Sequence, residues 1–240
     1  MGSKAVKYTS RLATSHSHRV LGVVININRM SHVSKNKPEQ AKLVATHGVT
    51  DATNMKWIGL EKIIYLDPNG QEREWESAVR KTRSSGGIDG VGILAILRHP
   101  DQPDRIVLQK QFRPPVNGVC IEMPAGLVDE GETIEQAALR ELKEETGYSG
   151  KIISKSPTIF NDPGFTNTNL SMVLVEIDET LPENQNPVNN LEANEFIECF
   201  TVTLKDFPDK MLELDRLGYK LDSRVDNIAQ GIRLAKQFDL

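Results

Sequence analysis

The stretch that most restricts how this chain folds runs from Gly126 to Gly147: Gly126-Leu-Val-Asp-Glu-Gly-Glu132-Thr-Ile-Glu-Gln-Ala-Ala-Leu-Arg140-Glu141-Leu-Lys-Glu144-Glu145-Thr-Gly147. It dictates a loop, one helix and a stop. Thr133 with Gln136 three residues on is a capping box, so a helix is predicted over 133–146, and Gly147 is a natural residue to end it. Ile134, Ala138 and Leu142 then share a face suited to packing on a sheet. Four carboxylates, Glu132, Glu141, Glu144 and Glu145, are gathered on this loop and helix. Glu141 and Glu145 lie four apart on one face and Glu144 flanks it. Like charges at that spacing destabilise a bare helix by about a few tenths of a kcal/mol.

A hard cation relieves that repulsion. Mg²⁺ prefers oxygen ligands in octahedral geometry, keeps several waters and completes its shell with phosphate oxygens. It offsets phosphate charge, polarises the P–O bond and acidifies a bound water, which suits cleavage of a phosphoanhydride. A bare Glu-x-x-Glu-Glu is more often a solvated acidic face. Here Arg140 stands four residues before Glu144, spaced for a salt bridge, and glycines bracket the segment.

The remaining chain supplies the frame. Val91–Leu97, Arg105–Gln111 and Ser171–Ile177 read as strands of one sheet. Glu61 to Asp67 and Gln71 to Trp75 read as a hairpin around the turn Pro68-Asn69-Gly70. Ser84-Ser85-Gly86-Gly87 reads as a short linker. Leu181 to Asn194, rich in Asn and Pro, reads as a loop. The C-terminus ends in an amphipathic helix with Ser223 as N-cap and Val225, Ile228 and Ile232 facing inward. Strands mixed with two or three helices indicate an α+β chain or a layered α/β/α sandwich. Three segments follow: a basic extension over 1–38, a small antiparallel β unit over 39–86, and a catalytic domain over 87–240.

Composition excludes several classes. With 38% apolar and 26% charged residues the chain is ordinary for a soluble globular protein. No apolar run approaches the ~20 residues of a membrane span, so no membrane partner is expected. A net charge of −4 gives no global positive field to draw in nucleic acid. Cys120 and Cys199, far apart, read as small apolar residues in a reducing compartment. The first acid is Glu39; before it stand Lys4, Lys7, Arg11, Arg19, Arg29, Lys35 and Lys37. If residues 4–12 are helical, Lys4, Lys7 and Arg11 share a face beside Ala5, Tyr8 and Leu12. This segment reads either as a mitochondrial transit segment, with Met30 as a second start, or as a basic tail without an address. The cytoplasm, with access to the nucleus, is the expected location, and the mitochondrion the alternative.

The acidic segment resembles the Nudix box: Gly, five residues, Glu, seven residues, Arg-Glu, an aliphatic, any residue, Glu-Glu, any residue, Gly and an aliphatic. Every spacing matches; Tyr148 stands where Ile, Leu or Val is usual. The resemblance implies the Nudix fold, an α/β/α sandwich with a mixed sheet. It implies that Glu141 and Glu145 are principal metal ligands, with Glu144 and the backbone carbonyl of Ala125 joining them. By the same resemblance Glu132 supports the shell and Arg140 orients a carboxylate.

Outside the box, Lys110-Gln-Phe-Arg113-Pro-Pro, Cys-Ile-Glu122-Met-Pro-Ala-Gly126 and Asp162-Pro163-Gly164 resemble the ADP-ribose pyrophosphatase branch, eukaryotic type. That resemblance runs from about Lys56 to the C-terminus. It implies Mg²⁺-dependent hydrolysis of ADP-ribose, and of other ADP-sugars, to AMP and ribose 5-phosphate, with Mn²⁺ as a substitute. It implies a homodimer in which the small unit is exchanged. Trp57 and Trp75, the only tryptophans, match a pair that stacks on adenine from opposite subunits. Arg80 and Arg113 are candidates for the diphosphate, and Asp162 for a substrate contact. Glu195 matches a glutamate on a mobile substrate loop that serves as base or orienting group. Two rivals stand beside this reading. One is another Nudix activity, on NADH, dinucleoside polyphosphates or oxidised nucleotides. The other is a binding module without catalysis, which typically has a broken box.

Overall fold

The computed structural model describes residues 37–48, 51 and 53–240. The basic segment before Lys37, with its expected helical face and Met30, lies outside the described residues.

The described residues open on a turn of 3₁₀ helix, Pro38–Gln40, and then form a two-stranded antiparallel ribbon, β1 (Ile58–Leu66) and β2 (Glu72–Arg80). Asp67 builds its turn. The Asp67 carboxylate accepts from the N–H groups of Asn69 and Gln71, each at 2.9 Å, and from Arg73 Nε at 3.0 Å. Gly70 adopts φ 74°, which the turn requires. The return strand reaches Arg80 rather than stopping at Trp75, because the ladder continues to the pair Ile58–Arg80.

A separate mixed sheet forms the body. In chain order its parts are β3 (Gly90–His99), β4 (Gln102–Arg113), β5 (Gly118–Glu122), β6 (Ala125–Leu127), α1 (Ile134–Thr146), β7 (Lys151–Lys155), β8 (Ile159–Phe160), β9 (Asn169–Asp178), α2 (Pro182–Gln185), β10 (Ile197–Thr203), α3 (Phe207–Arg216), β11 (Lys220–Leu221) and α4 (Ser223–Phe238). The main path runs β11-β5-β4-β3-β9-β7, with β10 on β4, β6 on β3 and β8 on β9. β3 and β9 are parallel neighbours, and β4 pairs antiparallel to β3.

Two apolar layers sandwich this sheet. On one face Val91, Ile93, Ala95, Val107, Val173 and Val175 pack against Ala137, Ala138 and Leu142 of α1. On the other, Ile106, Leu108 and Ile121 meet Phe207, Met211 and Leu214 of α3 and Val225 and Ala229 of α4. The expected α+β architecture with a mixed sheet and a separate small antiparallel sheet is therefore what forms.

Three local expectations need correction. The last helix is capped by Asp222, whose side chain accepts from the N–H of Arg224, and Ser223 is the first helical residue. The carboxylate one residue earlier reaches the open N–H and takes the cap. The polar loop contains one helical turn at Pro182–Gln185, since proline suits a first helical position. Helix α3 was not expected, although Phe207, Met211 and Leu214 carry its spacing.

Candidate active site

The Nudix-box residues meet where β6 lies along the C-terminal half of α1. Thr133 caps α1 reciprocally with Gln136: Gln136 N–H donates to Thr133 Oγ1, and Thr133 N–H to Gln136 Oε1 at 2.9 Å. Gly147 ends the helix at φ 77°, its N–H donating to the Lys143 carbonyl at 2.9 Å. The apolar stripe then sets the adjoining edge of α1, which carries Glu141 and Glu145, against β6.

Glu145 is the most enclosed of them, 3% exposed. Its Oε2 accepts from the backbone N–H of Ala125 at 2.9 Å, and its Oε1 from Gln109 Nε2 at 3.4 Å. Burial, and secondarily the charges of Glu141 and Glu195, push its carboxyl up to about 8 against the pull of the Ala125 N–H. Glu141 is also pushed upward, by burial first and by Glu144 and Glu195. Glu195 therefore lies close enough to repel both, and its Oε2 accepts from Glu192 N–H at 2.9 Å. Its loop is docked on the helix, because Asn190 N–H donates to the Glu144 carbonyl at 2.7 Å.

Gly126 leaves the space that Glu141 fills. A Cβ on Gly126 would lie 1.9 Å from the Glu141 carboxyl carbon. Arg140 ties the group together. Its Nε and Nη2 bind Glu132 at 2.9 and 2.8 Å, its Nη1 binds Glu141 at 2.8 Å and Glu144 at 3.2 Å, and its Nη2 also donates to the Leu127 carbonyl. Hydrogen bonding to Glu132, Glu141 and their charges raises its pKa further, so it is a permanent cation.

Among the described residues no three His, Cys, Asp or Glu groups converge into a ready-made metal cage; Arg140 holds Glu141 and Glu144 instead. The donor set nonetheless fits a hard divalent cation. It is all oxygen, and Glu145 is a buried carboxyl, repelled by Glu141 and Glu195, whose ionisation a bound cation would favour.

The other expected site residues are more dispersed. Arg113 Nε and Nη2 grip the buried Glu122 at 2.8 and 2.6 Å. Arg80 closes β2, and its Nε is buried with no hydrogen-bond partner among the described residues. Asp162 turns its carbonyl to the N–H groups of Phe165 and Thr166. Trp57 and Trp75 are half exposed, at 56% and 48%. Trp75 Nε1 donates to the Gly164 carbonyl at 3.1 Å, and Lys56 Nζ sits 4.1 Å from the Trp57 ring centre. Trp75 pairs with Ile63 on β1 and Trp57 precedes Ile58, the first residue of that strand, so about 20 Å of ribbon separates their backbones.

Two participants escaped sequence reasoning. Gln109 touches Glu145 but stands where the apolar run Ile106–Leu108 gives way to Lys110 and Gln111, so it reads as the start of an exposed polar stretch. Arg83 grips Asp89 at 2.9 and 2.8 Å and the Asn167 carbonyl at 2.7 Å, fastening the ribbon's exit to the body.

Comparison with known proteins fits this geometry. The NUDIX domain model matches residues 88–220. The chain is 66% identical over 223 residues to a Saccharomyces cerevisiae protein named ADP-ribose pyrophosphatase, covering 90% of this chain and 96% of that one. It is 37% identical over 171 residues to the Mus musculus ADP-sugar pyrophosphatase, covering 71% and 77%. It is 38% identical over 115 residues to a Bacillus subtilis ADP-ribose pyrophosphatase, covering 48% and 60%. Enzymes of this kind generally use divalent metal cations. With an intact acidic box on the loop and helix that the family model spans, the chain belongs to the NUDIX family of hydrolases.

Proposed function

We propose that the protein hydrolyses the pyrophosphate bond of ADP-ribose to AMP and ribose 5-phosphate, and that of other ADP-sugars to AMP and the matching sugar phosphate, with Mg²⁺, for which Mn²⁺ substitutes. The observation that carries the chemistry is the buried Glu145 beside Ala125, with the part-buried Glu141 and the more exposed Glu144 along the same helix edge. The substrate class follows from the relatives' names together with the tryptophan pair.

Glu141, Glu144, Glu145 and the Ala125 carbonyl would hold the cation, competing with Arg140 for Glu141 and Glu144. The bound cation would neutralise diphosphate charge and acidify water. Glu132 fixes the Arg140 guanidinium so that the acidic edge stays in register. Glu195, on the loop docked against α1, accepts a proton from the attacking water or orients it. Arg80 and Arg113 bind the diphosphate, Arg113 from a guanidinium already aligned by Glu122, and Asp162 contacts substrate from its turn beside Trp75.

Residues 39–86 act as the dimerisation and adenine-binding unit of a homodimer, and 87–240 as the catalytic domain. Two tryptophans whose backbones stand about 20 Å apart along one ribbon are poorly placed to clasp a single base, whereas Trp57 of one subunit and Trp75 of another can. A free two-stranded ribbon is marginal in water, and this one exposes Leu60, Ile63, Ile64, Tyr65 and Leu66. Among the described residues no helix is long and apolar enough to cross a membrane. We place the enzyme in the cytoplasm, with no nucleic-acid partner.

Incubating the purified protein with ADP-ribose and Mg²⁺ tests the reading. AMP and ribose 5-phosphate should appear and vanish with chelator. No turnover of ADP-ribose alongside cleavage of NADH or a dinucleoside polyphosphate would overturn the substrate assignment.

A further inference from the structure

Gln109 breaks the pattern of β4. Ile106, Val107 and Leu108 before it are wholly buried and apolar, and Gln109 is equally buried. Alternation places it with Val107 on the face covered by α1, while Ile106 and Leu108 serve the opposite layer. Its cross-strand neighbours are Cys199 on β10 and Glu122 on β5. Neither takes up the amide. Glu122 is gripped by Arg113, and the Cys199 thiol donates to the Glu145 carbonyl at 3.3 Å. Gln109 donates through Nε2 to Glu145 Oε1, and its own Oε1, buried, has no hydrogen-bond partner among the described residues.

An amide buried with its acceptor unsatisfied destabilises the fold. A methionine or leucine in the same space would continue the apolar layer without that penalty. What the amide supplies is a second fixed point on Glu145. Ala125 N–H holds Oε2 and Gln109 holds Oε1, so the plane of the carboxylate is set at both oxygens. Its remaining lone pairs keep one direction before any ligand arrives.

We infer that Gln109 is a positioning residue that holds the Glu145 carboxylate ready to bind a divalent cation, at the expense of stability in the metal-free protein. The inference rests on the reading of Glu145 as a metal ligand. Its mark is a pair of opposed effects: removing the amide weakens the cation and leaves the empty protein as stable or more so. A residue that merely packs would do the reverse.

The test is titration of the purified full chain with Mn²⁺, following free ion by electron paramagnetic resonance, with melting temperature measured in chelator. Wild type, Gln109→Met, Gln109→Leu and Glu145→Gln are compared. Both Gln109 variants should bind Mn²⁺ about 10- to 100-fold more weakly, the scale for losing a group that orients a ligand. Their metal-free melting temperatures should equal or exceed that of wild type. At saturating metal, kcat should fall with KM for ADP-ribose unchanged. Unchanged Mn²⁺ affinity in either folded Gln109 variant, with affinity lost in Glu145→Gln, would overturn the role of Gln109 and leave the ligand reading standing. Wild-type affinity in Glu145→Gln would remove that reading and the inference with it.

Discussion

The β1–β2 ribbon leaves Leu60, Ile63, Ile64, Tyr65 and Leu66 in solvent, whereas α1 buries Ala137, Ala138 and Leu142 against the main sheet. Both elements carry strong local signals, a Pro-Asn-Gly turn in one and a capping box with a glycine stop in the other. The difference is where their apolar surface goes. Helix α1 finds its complement within the same chain, so the acidic edge is rigidly presented. The ribbon's apolar side chains find none there, and exposed patches of that kind mark an interface. On the proposed function, bond cleavage resides in the self-sufficient region and base recognition in the region that needs a second subunit.

The comparison is broken most severely at Glu145. Glu145→Gln should lower turnover by about 10³-fold or more, the scale of removing a preorganised charge from a dry site, while the protein stays folded. It should also flatten a pH dependence. In the metal-free wild type the carboxyl sits at about 8 when folded, above its ordinary value of 4.5. Folding stability is then full below the ordinary value and declines as pH rises toward 8, because the unfolded chain ionises first. Thermal melts in chelator across that window should show the decline in wild type and not in the variant.

Next in size is packing. Leu142→Ala should cost about 2–5 kcal/mol in denaturant unfolding, against under about 0.5 kcal/mol for Ile64→Ala measured on the monomer. Equal losses would erase the contrast between the two regions. Gly126→Ala should weaken metal binding and turnover about 10- to 100-fold, because the new methyl would displace the Glu141 carboxylate; calorimetric titration with Mn²⁺ checks it. Trp57→Ala and Trp75→Ala should each raise KM for ADP-ribose by the equivalent of about 1–3 kcal/mol of lost stacking, with kcat nearly unchanged. Steady-state kinetics would sharpen the division of labour, and light scattering would test the dimer. The smallest effect belongs to Thr133→Ala, about 1 kcal/mol of stability from the lost cap.

The sequence made the acidic helix legible because spacing, cap and stop all agree at Thr133, Gln136 and Gly147. It made the sheet legible where strands are continuously apolar, as in Val91–Leu97. It did not mark Gln109, since an amide followed by Lys110 and Gln111 reads as the start of a polar stretch and its meaning arises only when β4 is laid beneath α1. Nor did it show that Arg113 is gripped by Glu122, a contact that forms only once β5 folds back along β4. The Asp222 cap was missed by one residue because Asp and Ser are both good caps and only the backbone chooses between them.

Gly147 couples the helix stop to the loop that carries Glu195. Its φ of 77° disfavours any side chain, and a Cβ there would lie 2.4 Å from the backbone nitrogen of Val188. These are independent demands, one on torsion and one on volume. A selection for suppressors of a Gly147 substitution would therefore need two simultaneous repairs, a reshaped helix end and a displaced loop. Single-step revertants should come back as glycine.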